Sequence, residues 1–259
     1  MEIALGMYSV YTEFLKNPEE TLEKISNMGI RYVEFYGDPI MSAAKMKALL
    51  NKYGLTIIGW HVEWKFLQER TIDKTIAYHK EVGNNVLMIP ALGGPWEVGH
   101  TVDENTSERW RIYSARMAII QDRLDKHEFH LGYHTHDYDF GEVLDNGQTS
   151  FEIIAANAPK EIFVEVDTGN CMEAKKNPVD YLKMIGAQGK FVHCKPYSLE
   201  NGYNTKLGSS EDVNNWVEII EQAQGETEYL ILETEAEPLS ESKIEIVEND
   251  IKRLKGFLI

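Results

Sequence analysis

The chain reads as one (β/α)8 barrel, a single domain over residues 1–259. Three observations predict it. Short apolar runs alternate with amphipathic helical stretches eight times along 259 residues, a length that suits one α/β barrel. The strand-like runs are apolar on both faces, as in a parallel sheet covered by helices, and closing that sheet leaves no edges. No Pro/Gly/Ser-rich linker or low-complexity stretch marks a boundary. An open doubly wound sheet is the alternative, but no G-x-G-x-x-G follows the first strand.

The elements follow in order. IALGMYS (3–9) is the first strand, and Pro18 opens a helix through TLEKISNM to Gly29. IRYVEFY (30–36) is the second strand, followed by a helix over SAAKMKALLNKY that stops at Gly54. LTIIGWHVEW (55–64) is the third, with a helix over TIDKTIAYHKEV to Gly83. NVLMIPAL (85–92) is the fourth, and a long amphipathic helix runs from Asp103 to His127. The second half carries strands in LGYHTH, IFVEVD, FVHCK and YLILETE. Helices near TSFEIIAANA, NPVDYLKMIG and SEDVNNWVEIIEQAQ separate them, and SESKIEIVENDIKRLKGF closes the chain. Glycines after NM, KY, EV and MI supply C-terminal caps.

Composition narrows the partners. The net charge is −16 and the pI about 4.9, so the chain repels polyphosphate and anionic membrane surfaces at long range. No apolar run approaches the ~18 residues of a membrane span. The start, MEIALGMYSVYTEFL, lacks a basic n-region and meets a charge at Glu13, so it does not read as a signal peptide. Cys171 and Cys194 are too few for a disulfide framework and read as free thiols, consistent with a cytoplasmic protein. Cys194 faces away from its neighbours His193 and Lys195 and reads as packing.

Four strand ends in the second half carry pairs of ionisable residues two apart: His134/His136, Glu165/Asp167, His193/Lys195 and Glu233/Glu235. On a strand such pairs share a face. They recur after 33, 26 and 40 residues (134 to 167, 167 to 193, 193 to 233), about one strand–helix unit each. Parallel strands would bring all four to the C-terminal end of the barrel, where active sites of this architecture sit. Asp167, before Thr168-Gly169-Asn170, reads by itself as a helix N-cap; with His193 and Glu233 beside it, it reads as a metal ligand. Glu233 follows Leu230-Ile231-Leu232 and must lie near the barrel interior, where a divalent cation would offset the cost of burying it. Mixed imidazole and carboxylate ligation suits Mn, Zn, Co or Fe better than Mg. The first half adds Glu34 and Tyr36 on one face of the second strand, and His61 and Glu63 on one face of the third. Trp64, Phe66, Trp96 and Phe140 lie at or beyond strand ends, an apolar wall for a sugar face with Tyr36, Glu63, Glu165 and Glu235 as polar contacts. G-x-S-x-G, Walker A and H-E-x-x-H motifs are absent, and ALGGPW (91–96) reads as a lid or turn.

Over essentially its whole length the chain resembles the xylose isomerase-like TIM barrels, a group of sugar phosphate isomerases and epimerases. GYHTHDYDF (132–140) is similar to that group's G-Y-H-N-H-D-F-E-F segment, with Thr135 in the middle and Asp139 for its glutamate. VEVDTGN (164–170) is similar to its strand-six aspartate motif, VHCKP (192–196) to H-x-K-D, and ILETE (231–235) to v-E-x-D/E. The resemblance implies one divalent metal held from strands five to eight, by position His134, Asp167, His193 and Glu233, with a small-molecule carbohydrate as substrate and a homo-oligomer allowed. His134 stands where ketose 3-epimerases carry a glutamate, Pro196 replaces the usual aspartate, and Lys206-Leu207-Gly208-Ser209 replaces an acidic loop. One epimerase-type carboxylate is missing, which points to isomerisation, or to elimination as in the inosose dehydratases. His136, His61 and Lys195 are the base candidates, oriented by Glu235 or Glu165, with Glu233 as both ligand and acid/base group. Two alternatives stand beside this reading. One is an endonuclease IV-like metal hydrolase, the other a non-catalytic carbohydrate-binding or partner subunit.

Overall fold

A computed structural model describes residues 1–94, 104–237 and 240–258. Its strands are β1 (Glu2–Gly6), β2 (Tyr32–Tyr36), β3 (Thr56–His61), β4 (Val86–Ile89), β5 (His130–His134), β6 (Phe163–Asp167), β7 (Phe191–Cys194) and β8 (Tyr229–Leu232). All eight run parallel in sequence order and close into a barrel through the β1–β8 pairing, so the expected (β/α)8 fold is the one observed.

The caps explain where the helices begin and end. Asn17 accepts from the Glu20 N–H at 3.3 Å to start the helix Pro18–Asn27, and Pro18 occupies a first-turn position where its missing N–H is harmless. Ser42 starts Ala43–Tyr53, and Gly54, at φ 64°, closes it. Gly83 closes Ile72–Val82 in the same way. Reciprocal capping boxes start Ser150–Asn157 (Thr149 with Glu152) and Lys243–Gly256 (Ser242 with Glu245). Pro178–Ile185 and Trp216–Ala223 complete the outer ring of the second half. The long helix is Ser107–Leu124, started by Thr106 and extended by a 3-10 turn over Asp125–His127. Its expected start at Asp103 lies outside the described residues, as do Pro95 and Trp96 of the expected lid or turn.

Several strands are shorter than their apolar runs. β1 stops at Gly6, and Met7–Val10 forms a 3-10 turn leading into an added helix, Tyr11–Lys16. β3 stops at His61, whose partner Tyr36 is the last residue of β2; beyond it Val62 keeps one bond, to the Met88 carbonyl of β4 at 2.7 Å. β5 stops at His134, because His136 is already the N-cap of a short helix, Asp137–Gly141. Hydrophobicity marks what is buried; hydrogen-bonded neighbours decide where a strand ends.

The barrel interior is layered. Ala4, Ile58, Val86, Met88, Phe191 and Ile231 fill its lower part, with Tyr32, Phe163 and Tyr229 packed beneath. A separate, larger apolar layer lies between strands and helices and contains both free cysteines, so Cys194 packs away from the site as expected. Above the interior plug the inward positions become ionisable. Among the described residues no helix is long and apolar enough to cross a membrane.

Candidate active site

His134 is the last residue of β5, Asp167 the last of β6, and His193 lies one residue before the end of β7. Glu233 and Lys195 follow β8 and β7 immediately. His134, His136, His193, Lys195, Glu233 and Glu235 line a cavity of about 930 Å³, and Asp167 is buried against the imidazoles beneath it. Four strand ends that are remote in sequence thus meet at one place.

Asp167, His193 and Glu233 bring ligand-capable atoms within 4.8 Å of one another. His193 Nδ1 lies 3.2 Å from Glu233 Oε2 and 3.9 Å from Asp167 Oδ2. His134 Nε2 lies 3.9 Å from the same Asp167 oxygen, although its closest grouping is with His61, Glu165 and His193. The helix-cap reading of Asp167 is the observed one, and it leaves the second carboxylate oxygen over. Its Oδ1 accepts from the Asn170 N–H at 2.9 Å and caps the helix Thr168–Glu173. Its Oδ2 has no hydrogen-bond partner among the described residues, and neither has His193 Nδ1. A buried carboxylate oxygen left this way is costly, and a cation beside it removes the cost. The donor set, one or two imidazoles with two carboxylates, fits a divalent transition ion.

A deeper layer holds these groups in place. Glu34 Oε2 is 2.7 Å from His193 Nε2 and 3.1 Å from His61 Nε2. Glu165 Oε2 is 2.7 Å from His134 Nδ1 and 3.2 Å from both His61 Nε2 and His193 Nε2. Each candidate imidazole ligand therefore has one ring nitrogen engaged by a carboxylate, the arrangement that sets ring orientation at metal sites. Burial disfavours a charged His61, but Glu34 and Glu165 outweigh it and raise its pKa to about 9. Burial likewise opposes charge on Glu165, yet His193, His134 and His61 hold it well below the carboxylate range. Gly59 on β3 makes room for this layer, since a Cβ there would meet Glu34 Oε1 at 2.8 Å.

Glu165, expected to contact substrate, is not among the residues that line the cavity. It is 0% exposed, one strand step below Asp167, and the imidazoles separate it from the cavity. The pair two apart does share a face, but the stagger of the barrel puts its first member a layer deeper than its second. Thr135 ties this edge together: its hydroxyl donates to the Glu165 carbonyl at 2.9 Å and accepts from the Asp167 N–H at 3.1 Å.

The mouth carries the remaining groups. Lys195 Nζ lies 3.0 Å from Glu233 Oε1, 2.5 Å from Glu235 Oε1 and 4.3 Å over the Tyr203 ring. Burial works against its charge, but Glu233, Asp167 and Glu235 raise it well above a lysine's ordinary value. Lys195 is therefore held as an ammonium that donates to Glu233 and Glu235. Burial, with His134 and Lys195 nearby, pushes His136 well below the usual imidazole value. His61 faces the cavity with its Nε2 between the carboxylates of Glu34 and Glu165.

Tyr36, Glu63 and Trp64 line the cavity as expected, with Glu63 at the rim, 2.7 Å from Lys65. Trp64 packs edge-to-face on Tyr113. Trp96 lies outside the described residues. Phe140 is fully buried between Phe151 and Tyr181, and Phe66 does not reach the cavity, so neither belongs to an aromatic wall. Both come after their strand has ended, on turns that point them back into the outer layer. Glu34 as a structural partner, and Tyr8, Asn170 and Tyr203 as cavity residues, were missed. Tyr203 reaches the site from a long loop and donates to Asn170 Oδ1 at 2.7 Å, a contact with no local sequence signature.

Solved structures share this architecture. A sugar phosphate isomerase/epimerase from Parabacteroides distasonis is 18% identical, with 100% of this chain and 95% of that one covered at a TM-score of 0.81. An L-ribulose 3-epimerase is 14% identical (100% and 95% covered, TM-score 0.76), and a probable 3-DHS dehydratase from Bacillus anthracis 15% (98% and 99%, TM-score 0.68). At these identities the likeness is one of fold. No curated protein sequence matches the chain. The model of the xylose isomerase-like TIM barrel family matches residues 22–257, nearly the whole barrel, and the chain belongs to that family.

Proposed function

We propose that the chain is a divalent-metal-dependent enzyme acting on a sugar, keto-sugar or cyclitol by removal of a proton next to a carbonyl, leading to isomerisation or elimination. The observation that carries this reading is the convergence of Asp167, His193 and Glu233 beneath a large cavity, with Asp167 Oδ2 lacking any hydrogen bond among the described residues. Asp167, His193 and Glu233 would hold the ion, with His134 Nε2 as a fourth donor. When bound, such an ion polarises a substrate carbonyl or hydroxyl oxygen.

The chain's own groups divide the remaining work. His136 is a neutral imidazole at neutral pH and can take a proton at a ring nitrogen. Its depressed basicity makes it return that proton readily. Lys195, fixed between Glu233 and Glu235, presents a positive charge where negative charge would build on a substrate oxygen. Tyr203 and Asn170 hold the wall beside it. One acid/base imidazole facing one lysine is an asymmetric pair, which suits isomerisation or elimination better than inversion between two matched carboxylates. The fold neighbours named for epimerase and dehydratase chemistry are compatible with it. The acidic lining, with Glu63, Asp137, Glu233 and Glu235, gives no support to nucleic-acid cleavage.

The test combines metal analysis with solvent exchange. The purified protein should contain stoichiometric Mn, Zn, Co or Fe, and Asp167→Ala should lose it. Over a panel of keto-sugars and cyclitols in D2O, the loaded protein should incorporate deuterium next to a carbonyl. His136→Asn should keep the metal and lower that exchange on the order of 10²-fold or more. Equal metal in wild type and Asp167→Ala, or efficient interconversion of fructose and psicose as the main activity, would overturn the reading. Restoration of His136→Asn by added metal would show that His136 only supports a ligand.

A further inference from the structure

The cavity has two unlike halves. Polar and ionisable groups from β5 to β8 (His136, Asn170, Lys195, Tyr203, Glu233) line one side. The side built on β1 to β3 carries three aromatic rings, Tyr8, Tyr36 and Trp64, beside the polar Glu63, Lys65 and Gln68. Tyr8 and Tyr36 are 43% and 38% exposed although they line the cavity, which is unusual for large rings packed on each other. Their centroids are 5.2 Å apart at 81°, and Tyr11 packs edge-to-face on Tyr36 at 5.6 Å and 81°. Tyr36 also stands 6.3 Å from His61, which joins this corner to the metal-side floor.

Size and charge limit what sits there. A cavity of about 930 Å³ is near the top of the range for small-ligand sites and more than one sugar ring fills. Neither lysine in its lining is left over for a phosphate: Lys195 is held by Glu233 and Glu235, and Lys65, on the aromatic side, by Glu63 at 2.7 Å. The occupant of the aromatic half is therefore an uncharged ring that offers an apolar face.

We infer that Tyr8 and Tyr36 form a second ring-binding subsite, and that the substrate is an uncharged glycoside whose reacting sugar lies over the metal side while its linked ring packs on these tyrosines. This rests on the function proposed above and specifies its substrate class.

Titration calorimetry on the metal-loaded protein with methyl and phenyl hexopyranosides, in both anomeric forms, tests it. Phenyl glycosides of one anomer should bind on the order of tenfold tighter than the matching methyl glycosides, the gain expected from burying one ring face. Tyr8→Ala should collapse that ratio toward one, and Tyr8→Phe, which keeps the ring, should preserve it. If wild type shows no preference, or if Tyr8→Ala weakens methyl and phenyl glycosides equally, the subsite is refuted while the metal-centred reading stands. If the preference persists unchanged in Asp167→Ala, the subsite stands and the metal-centred reading loses its support. If the loaded protein binds neither class, both fall.

Discussion

Glu34 shows how much of this site depends on a nearly fully buried carboxylate placed between its imidazoles. Its Oε2 receives both His193 and His61, at 2.7 and 3.1 Å, and Gly59 leaves the space it occupies. In the sequence it is one acidic residue inside YVEFY, legible as an inward-facing position but not as a partner of a histidine 159 residues away. Replacing it by glutamine keeps the shape and removes the charge that orients His193. Glu34→Gln should weaken metal binding roughly 10- to 100-fold, the effect typical of losing a carboxylate behind a histidine ligand. Competition with a chromophoric chelator would measure it, and an unchanged dissociation constant would mean that Glu34 does not position His193. By contrast, Asp167, His193 and Glu233 are legible as residues, because each ends an apolar run at a spacing of one strand–helix unit.

At the scale of elements, the short helix Asp137–Gly141 sets the position of His136. Asp139 anchors it. Its buried carboxyl accepts from the His136 N–H at 2.8 Å, from Tyr133 at 3.0 Å and from Ser150 at 2.6 Å, with no ion pair to a cation among the described residues. Burial pushes its pKa up to about 7, against the pull of those hydrogen bonds. The unfolded chain then releases this proton at lower pH than the native one, so between about pH 4 and 7 the native state binds more protons and stability falls as pH rises. The contribution is fully present below the unfolded pKa and is lost by the time pH passes the folded value. Its size is on the order of 4 kcal/mol at most. Thermal melts from pH 4 to 8 should show wild type losing stability relative to Asp139→Asn across this window. Parallel pH profiles for the two proteins would contradict it. This helix was not legible: HTHDYDF continues a strand-like pattern, and the turn comes from Asp139 taking the His136 N–H at the helix start.

For the whole molecule, the candidate ligands come from the ends of β5, β6, β7 and β8, so an ion bound there ties half the barrel together. A ligand that binds only the folded state adds about 4 kcal/mol at a thousandfold excess over its dissociation constant. Stripping metal with a chelator should therefore lower the melting temperature by several degrees, on the order of 10 °C for a chain of this size. Asp167→Ala should show no such shift; a full shift in that variant would place the ion elsewhere. The barrel itself was determined by sequence alone, because eight apolar strands covered on both faces by capped helices have few other ways to bury themselves. So was the end of the barrel that carries the chemistry, since alternation puts residues two apart on one face. Only the tertiary structure decided depth and partners. The stagger of the strands buried Glu165 below Asp167, turned Lys195 into a paired cation, sent Phe140 to the outer layer, and brought Tyr8 and Tyr203 to the cavity. Those outcomes depend on which side chains meet across the barrel, and no periodicity within one strand records that.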